Sequence, residues 1–144
     1  MLKIDSIEFD DKKRSDCRIN NHIKKPEDAV EIFVDVLKIN GEEEAVGMIA
    51  LDNDDRLIGL VELMRGGDAL EKIGTDDLFY LALRLEADSI ILAQSKADGL
   101  KINSYDSEFN KFLIQEAENF KINVKNNLII KDSETWIVLN SIKN

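Results

Sequence analysis

The chemistry-bearing residues of this chain gather between Gln94 and Asp106, in the stretch QSKADGLKINSYD, which follows the apolar run Ile90-Ile91-Leu92-Ala93. The stretch supplies an amide (Gln94), an ammonium (Lys96), two carboxylates (Asp98 and Asp106) and a hydroxyl (Ser104). Together with Glu44, Asp98 and Asp106 carry the oxygen ligands that magnesium or calcium takes. Their spacing matches no loop motif for either ion. The 144 residues contain one histidine, His22, and one cysteine, Cys17. A zinc site with two histidine ligands therefore cannot be assembled from this one chain. Cys17 stands among charged residues with nothing arranged to lower its pKa, which makes it a poor nucleophile. Alone it forms no intramolecular bridge, as suits a reducing compartment.

Other motifs read as structure. Gly66-Gly67 ends a strand, and no Gly-Lys-Ser/Thr follows to cradle a phosphate. Asn53-Asp54-Asp55 is a hairpin turn without the Gly and distal Glu of a calcium loop. Trp136 is a half-buried strand residue. Glu42-Glu43-Glu44 reads first as a solvated acidic turn.

A formal charge of −10 repels a phosphate backbone unless a basic patch overcomes it. Lys12-Lys13-Arg14 and Lys24-Lys25 are short and lie among acids, so nucleic acid is not an expected partner. No apolar run approaches the roughly 20 residues of a membrane span. Met1 to Asp5 has no charged segment leading into an apolar one, so no signal peptide is expected and the cytoplasm is the default location.

The elements that must position these residues follow from periodicity. Pro26 opens a helix with Glu27 and Asp28 in its first turn. Ala29, Ile32, Phe33, Val36 and Leu37 form its apolar stripe, and Asn40-Gly41 stops it. Ala45–Leu51 and Leu57–Leu63 read as a hairpin. Thr75 is expected to cap a second helix whose stripe is Leu78, Leu81, Ala82 and Leu85, widened by Phe79 and Leu83. So wide an apolar arc implies cover on more than one side. Ser89–Ala93 has the uniform apolar pattern of a central strand. A third helix spans about Ser107 to Phe120, with Phe109, Phe112, Leu113, Ala117 and Phe120 inward. Ile122–Ile130 and Glu134–Leu139 close the chain as strands. Residues 10–16 read as a charged loop and 17–23 as a short strand. The expectation is one α/β domain over residues 1–144, with 1–16 as a peripheral extension. It is a single three-layer domain, a mixed β-sheet with helices on both faces.

In order and wording, residues Ile23 to Ile142 resemble RadC-like JAB/MPN metalloprotease domains, of cytidine-deaminase-like architecture. In that family a Pro-led helix precedes a Glu-bearing strand ending in Leu-Asp, and a later buried strand runs into H-N-H-P-S-G and then S-x-x-D. Here Glu44 stands before AVGMIALD, with Leu51-Asp52 in register, and IILA runs into QSKADG, with Gly99 retained. The resemblance implies a catalytic zinc held by two histidines and an aspartate, with the glutamate as general base and the serine assisting the oxyanion. Mapped onto this chain, Glu44 takes the base position and Ser104 the serine position. Gln94, Lys96 and Ser107 take the three metal positions, and Asp106 falls one residue early.

The expected protein is therefore a JAB/MPN domain without its zinc and without a cofactor. It would act through protein contacts, as a scaffold or a homodimer. A Glu44–Lys96 ion pair would fill the former metal space. Two alternatives stand beside it: a divergent hydrolase built on Glu44, Ser104 and Asp106, and a small-ligand sensor using the cleft of Gln94, Ser95 and Lys96.

Overall fold

Strand β4 (Ser89–Ser95) is buried at all seven positions. It pairs antiparallel with β2 (Ala45–Leu51) and parallel with β5 (Asn123–Asp132). A strand so placed needs apolar side chains on both faces, and IILA provides them. The computed structural model describes residues 22–139 and, for the backbone alone, residues 5–7. Its open, mixed sheet has the order β1-β3-β2-β4-β5-β6, in which β1 is Asp5–Ile7, β3 is Leu57–Arg65 and β6 is Thr135–Val138.

Alternation along β4 sorts the core into two layers. Ile91 and Ala93 face helix α1 (Pro26–Asp35) and pack with Ile32, Phe33, Ile49 and Leu128. Ile90 and Leu92 face helices α2 (Thr75–Arg84) and α3 (Ser104–Phe120) and pack with Leu78, Phe79, Phe109 and Leu113. The expected helices on both faces are thus observed. The same parity puts Gln94 on the α3 side and Ser95 on the α1 side.

The chain departs from expectation at several element ends, each for a local reason. Helix α1 stops at Asp35, before Asn40-Gly41. Lys38 turns through a positive φ of 58°, and the Ile39 N–H returns to the Phe33 carbonyl at 3.0 Å. The apolar stripe continues as an extended tail, which reaches the sheet at Gly47. A Cβ there would stand 2.7 Å from Ile39 Cδ1 and 2.9 Å from Leu37 Cδ1, so the tail seats because residue 47 is glycine. Gly74, and not Thr75, is the N-cap of α2; its extended backbone offers its carbonyl to the Leu78 N–H. Helix α3 begins three residues earlier than expected because Asn103 caps it. Phe112, expected inward, is 49% exposed, and Tyr80 and Leu83 of α2 are exposed as well, while Phe79 is buried and stacks on Phe120 of α3, so α2 is covered by the sheet and by its neighbouring helix. The last turn falls at Ser133-Glu134, where the Glu134 N–H donates to Asp132 Oδ1 at 2.9 Å. The loop at 10–16 and most of the strand expected at 17–23 lie outside the described residues. At the end of the latter, His22 bridges to Arg56.

Candidate functional site

Where β4 ends, Gln94 and Lys96 share the face turned toward the first turn of α3. The loop that follows turns at Gly99, whose φ is +78°, and enters α3 at Asn103. The Asn103 side chain accepts the Asp106 N–H at 2.8 Å, and Asp106 Oδ2 accepts the Asn103 N–H at 2.9 Å. This reciprocal cap fixes both the start of the helix and the direction of the Asp106 carboxylate.

Asp106 is 2% exposed and accepts from three groups. They are the Asn103 N–H, the Gln94 amide nitrogen at 3.3 Å and the Lys96 ammonium. The Lys96 side chain, 9% exposed, also donates to the carbonyl of Lys101, and Asp98 Oδ1 lies 3.9 Å from its Nζ. A carboxylate this deeply buried needs a cation and a full set of donors, and here it has both.

The expected Glu44–Lys96 ion pair is not formed; Lys96 pairs with Asp106 instead. The Glu44 oxygens are used elsewhere. Oε1 accepts the Asp68 N–H at 2.8 Å and Oε2 accepts the Ala97 N–H at 3.4 Å. Its backbone is held as firmly. The Glu44 carbonyl accepts the Gly66 N–H at 2.7 Å, and the preceding carbonyl of Glu43 accepts from Ser95 Oγ at 2.7 Å. Arg65 adds a clamp, donating to Glu43 at 3.2 Å, Glu62 at 2.8 Å and the Leu37 carbonyl at 2.5 Å. Gly41 seats the start of this loop on the end of β5, where a Cβ would meet the Lys131 carbonyl at 2.7 Å. Glu44 is therefore a strut between two loops and not a solvated turn residue.

Glu44, Gln94, Lys96, Asp98 and Asp106 thus line one cleft of about 250 Å³, with Asp68, Glu71 and Tyr105 also in its wall. Five carboxylates face one ammonium among its lining residues, so the cleft favours cationic over anionic partners. Burial, with the Glu71 charge nearby, pushes the Tyr105 phenol above its ordinary pKa. Ser104 is exposed at the first position of α3, and neither it nor Ser107 lines the cleft. Asn103, Asp68 and the Lys101 carbonyl belong to the site and were not among the expected residues. Of these only Asn103 carried a signal, the Asn-x-x-Asp spacing of a helix cap.

The residues present do not fit a zinc ion. Gln94 and Lys96 both direct N–H donors at the one carboxylate that a metal would share with them. No group of three or more His, Cys, Asp or Glu arranged to hold a metal occurs among the described residues.

The model of the RadC-like JAB domain family matches residues 23–142. The chain belongs to that family, and its α/β fold is the one the match implies. A search of curated proteins found no match. No helix among the described residues is long and apolar enough to cross a membrane.

Proposed function

We propose that this RadC-like JAB domain works by binding another protein, or a second copy of itself, and not as a zinc hydrolase. The observation that carries the reading is the convergence of Gln94 and Lys96 on Asp106. In a zinc site those positions offer lone pairs to a dication. Here they offer hydrogens and a positive charge, so an added dication would meet an ammonium at close range, a repulsion of several kcal/mol or more in a partly buried site. The hydrolase alternative needs Ser104 beside Glu44 and Asp106, and Ser104 lies outside the cleft. Tyr105 (40% exposed) lines the cleft, and Ile102 (47% exposed) precedes it in the loop that enters α3, exposed apolar side chains of the kind that contact surfaces use.

Elemental analysis of the purified protein, a peptide-hydrolysis assay and a mass measurement in solution test the reading together. The expected outcome is far less than one zinc per chain, no metal-dependent hydrolysis, and either a dimer or a monomer whose association depends on Ile102 and Tyr105. Stoichiometric zinc with chelator-sensitive hydrolysis would overturn it.

A further inference from the structure

The Lys96 ammonium is bound as a small ligand would be. One N–H reaches the Asp106 carboxylate, another the Lys101 carbonyl, and the third side looks toward Asp98 at 3.9 Å. These acceptors come from the first turn of α3 and from the loop before it, and all of them are oxygens. Glu44 does not compete for the cation, because its carboxylate is engaged by the Asp68 and Ala97 amides. Without Lys96, Asp106 would keep only two neutral donors, the Asn103 N–H and the Gln94 amide. A buried carboxylate left so poorly compensated recruits a cation, takes up a proton or disrupts its surroundings, and the oxygens gathered round Lys96 Nζ favour the first.

From this arrangement we infer that the cleft is a cation-binding site which the chain fills with its own side chain. Lys96 Nζ is a tethered cation that holds the 97–103 loop onto the start of α3. When the tether is cut, a free primary ammonium ion or a hard divalent cation takes its place. The inference rests on the reading of the wild-type cleft as free of zinc, and the two fail separately. Zinc in the wild-type protein would overturn that reading, whereas a zinc-free wild type with no rescue would overturn this inference alone.

The test is chemical rescue of Lys96→Ala, read by hydrogen exchange at Asn103, Asp106 and the loop amides. Exchange should rise about tenfold or more, the scale of one lost charge-assisted hydrogen bond. Tens of millimolar ethylammonium, or millimolar magnesium or calcium, should restore protection. Tetramethylammonium at matched ionic strength should not, since it has no N–H to donate and its methyl groups hold the charge away from the carboxylate and carbonyl oxygens. Lys96→Met should lose the same protection without rescue, because the thioether fills the space. Unchanged exchange in Lys96→Ala, or no recovery with any of the three cations, would overturn the proposal. Should Lys96→Ala fail to fold, the wild-type protein decides. The Lys96 ammonium protons should give a slowly exchanging signal that solvent-exposed Lys101 lacks, and an equally fast exchange at both would overturn the proposal.

Discussion

The carboxylate of Glu44 accepts the backbone N–H of Asp68 at 2.8 Å, although Asp68 lies in a loop of its own and turns through a positive φ of 60°. Glu44 is an anchor for that turn, and its second oxygen ties in Ala97. Glu44→Ala should cost about 1.5–3 kcal/mol of stability, the range for hydrogen bonds to a charged group. Exchange should quicken at the Asp68 and Ala97 amides. Denaturant unfolding and residue-resolved exchange check this, and unchanged protection at both amides would remove the strut.

Breaking the Lys96–Asp106 pair from either side should be more costly. Asp106→Ala leaves a buried ammonium and also removes one half of the α3 cap. The expected loss is about 3–5 kcal/mol for the orphaned charge, plus about 1 kcal/mol for the cap. The double variant Lys96→Met/Asp106→Leu should lose much less than the sum of the single changes. A thermodynamic cycle from denaturant midpoints gives the coupling directly, and additivity would mean that the two groups do not interact.

Asp106, and not Ser107, is the aspartate turned toward positions 94 and 96. The double variant Gln94→His/Lys96→His should therefore bind about one zinc per chain through two imidazoles and this carboxylate. Adding Asp106→Ala should remove the metal, and adding Ser107→Ala should not. Calorimetric titration with zinc separates these outcomes; retention of zinc after Asp106→Ala would show that another group completes the site.

The hairpin turn at Asp52 provides a pH test. The Arg56 backbone N–H, bonded at 2.9 Å, does most to hold the Asp52 carboxyl below its ordinary pKa. Burial opposes it, and the Asp54 N–H at 2.8 Å and the nearby Arg56 and His22 charges assist. A carboxyl whose folded pKa is depressed stabilises fully above its unfolded pKa, about 3.9, and loses that contribution as pH falls through the lower folded value. Protection of the Asp54 and Arg56 amides should thus persist at pH 5 and fade below about pH 4, in the window those two pKa values bracket. Asp52→Asn should flatten this dependence, and an unaltered pH profile in that variant would assign the effect to another group.

Gly47→Ala tests the packing of the tail that follows α1. The new methyl would meet the tips of Leu37 and Ile39, which are flexible and give way at a cost of about 1–3 kcal/mol. The variant should melt earlier with its fold intact by circular dichroism. No change in melting would mean that the tail seats elsewhere.

Much of the fold was legible because periodicity and burial are local to the sequence. IILA announced a central strand, and Pro26 with two acids announced α1. The site was less so, because its geometry depends on which residue caps α3. Counting along the S-x-x-D spacing assigned the third metal position to Ser107. The Asn103 cap starts the helix earlier and rotates Asp106 inward by one position. Similarly, Lys96 was expected to meet Glu44 across the cleft. Strand parity sends it toward α3, while Glu44 is consumed by two backbone amides that no pattern of side chains could have revealed. Phe112 fitted the apolar stripe and still faces solvent, since periodicity places a residue on a helix without telling how far the neighbouring layer extends.

The last apolar core side chains of β4 are Leu92 and Ala93, and the buried polar Gln94 and then Lys96 follow them toward the cleft. Inheritance of the scaffold is thereby uncoupled from inheritance of the chemistry. A lineage can rewrite positions 94 and 96 without redesigning either half of the interior, provided that the buried Asp106 carboxylate they face stays compensated at each step.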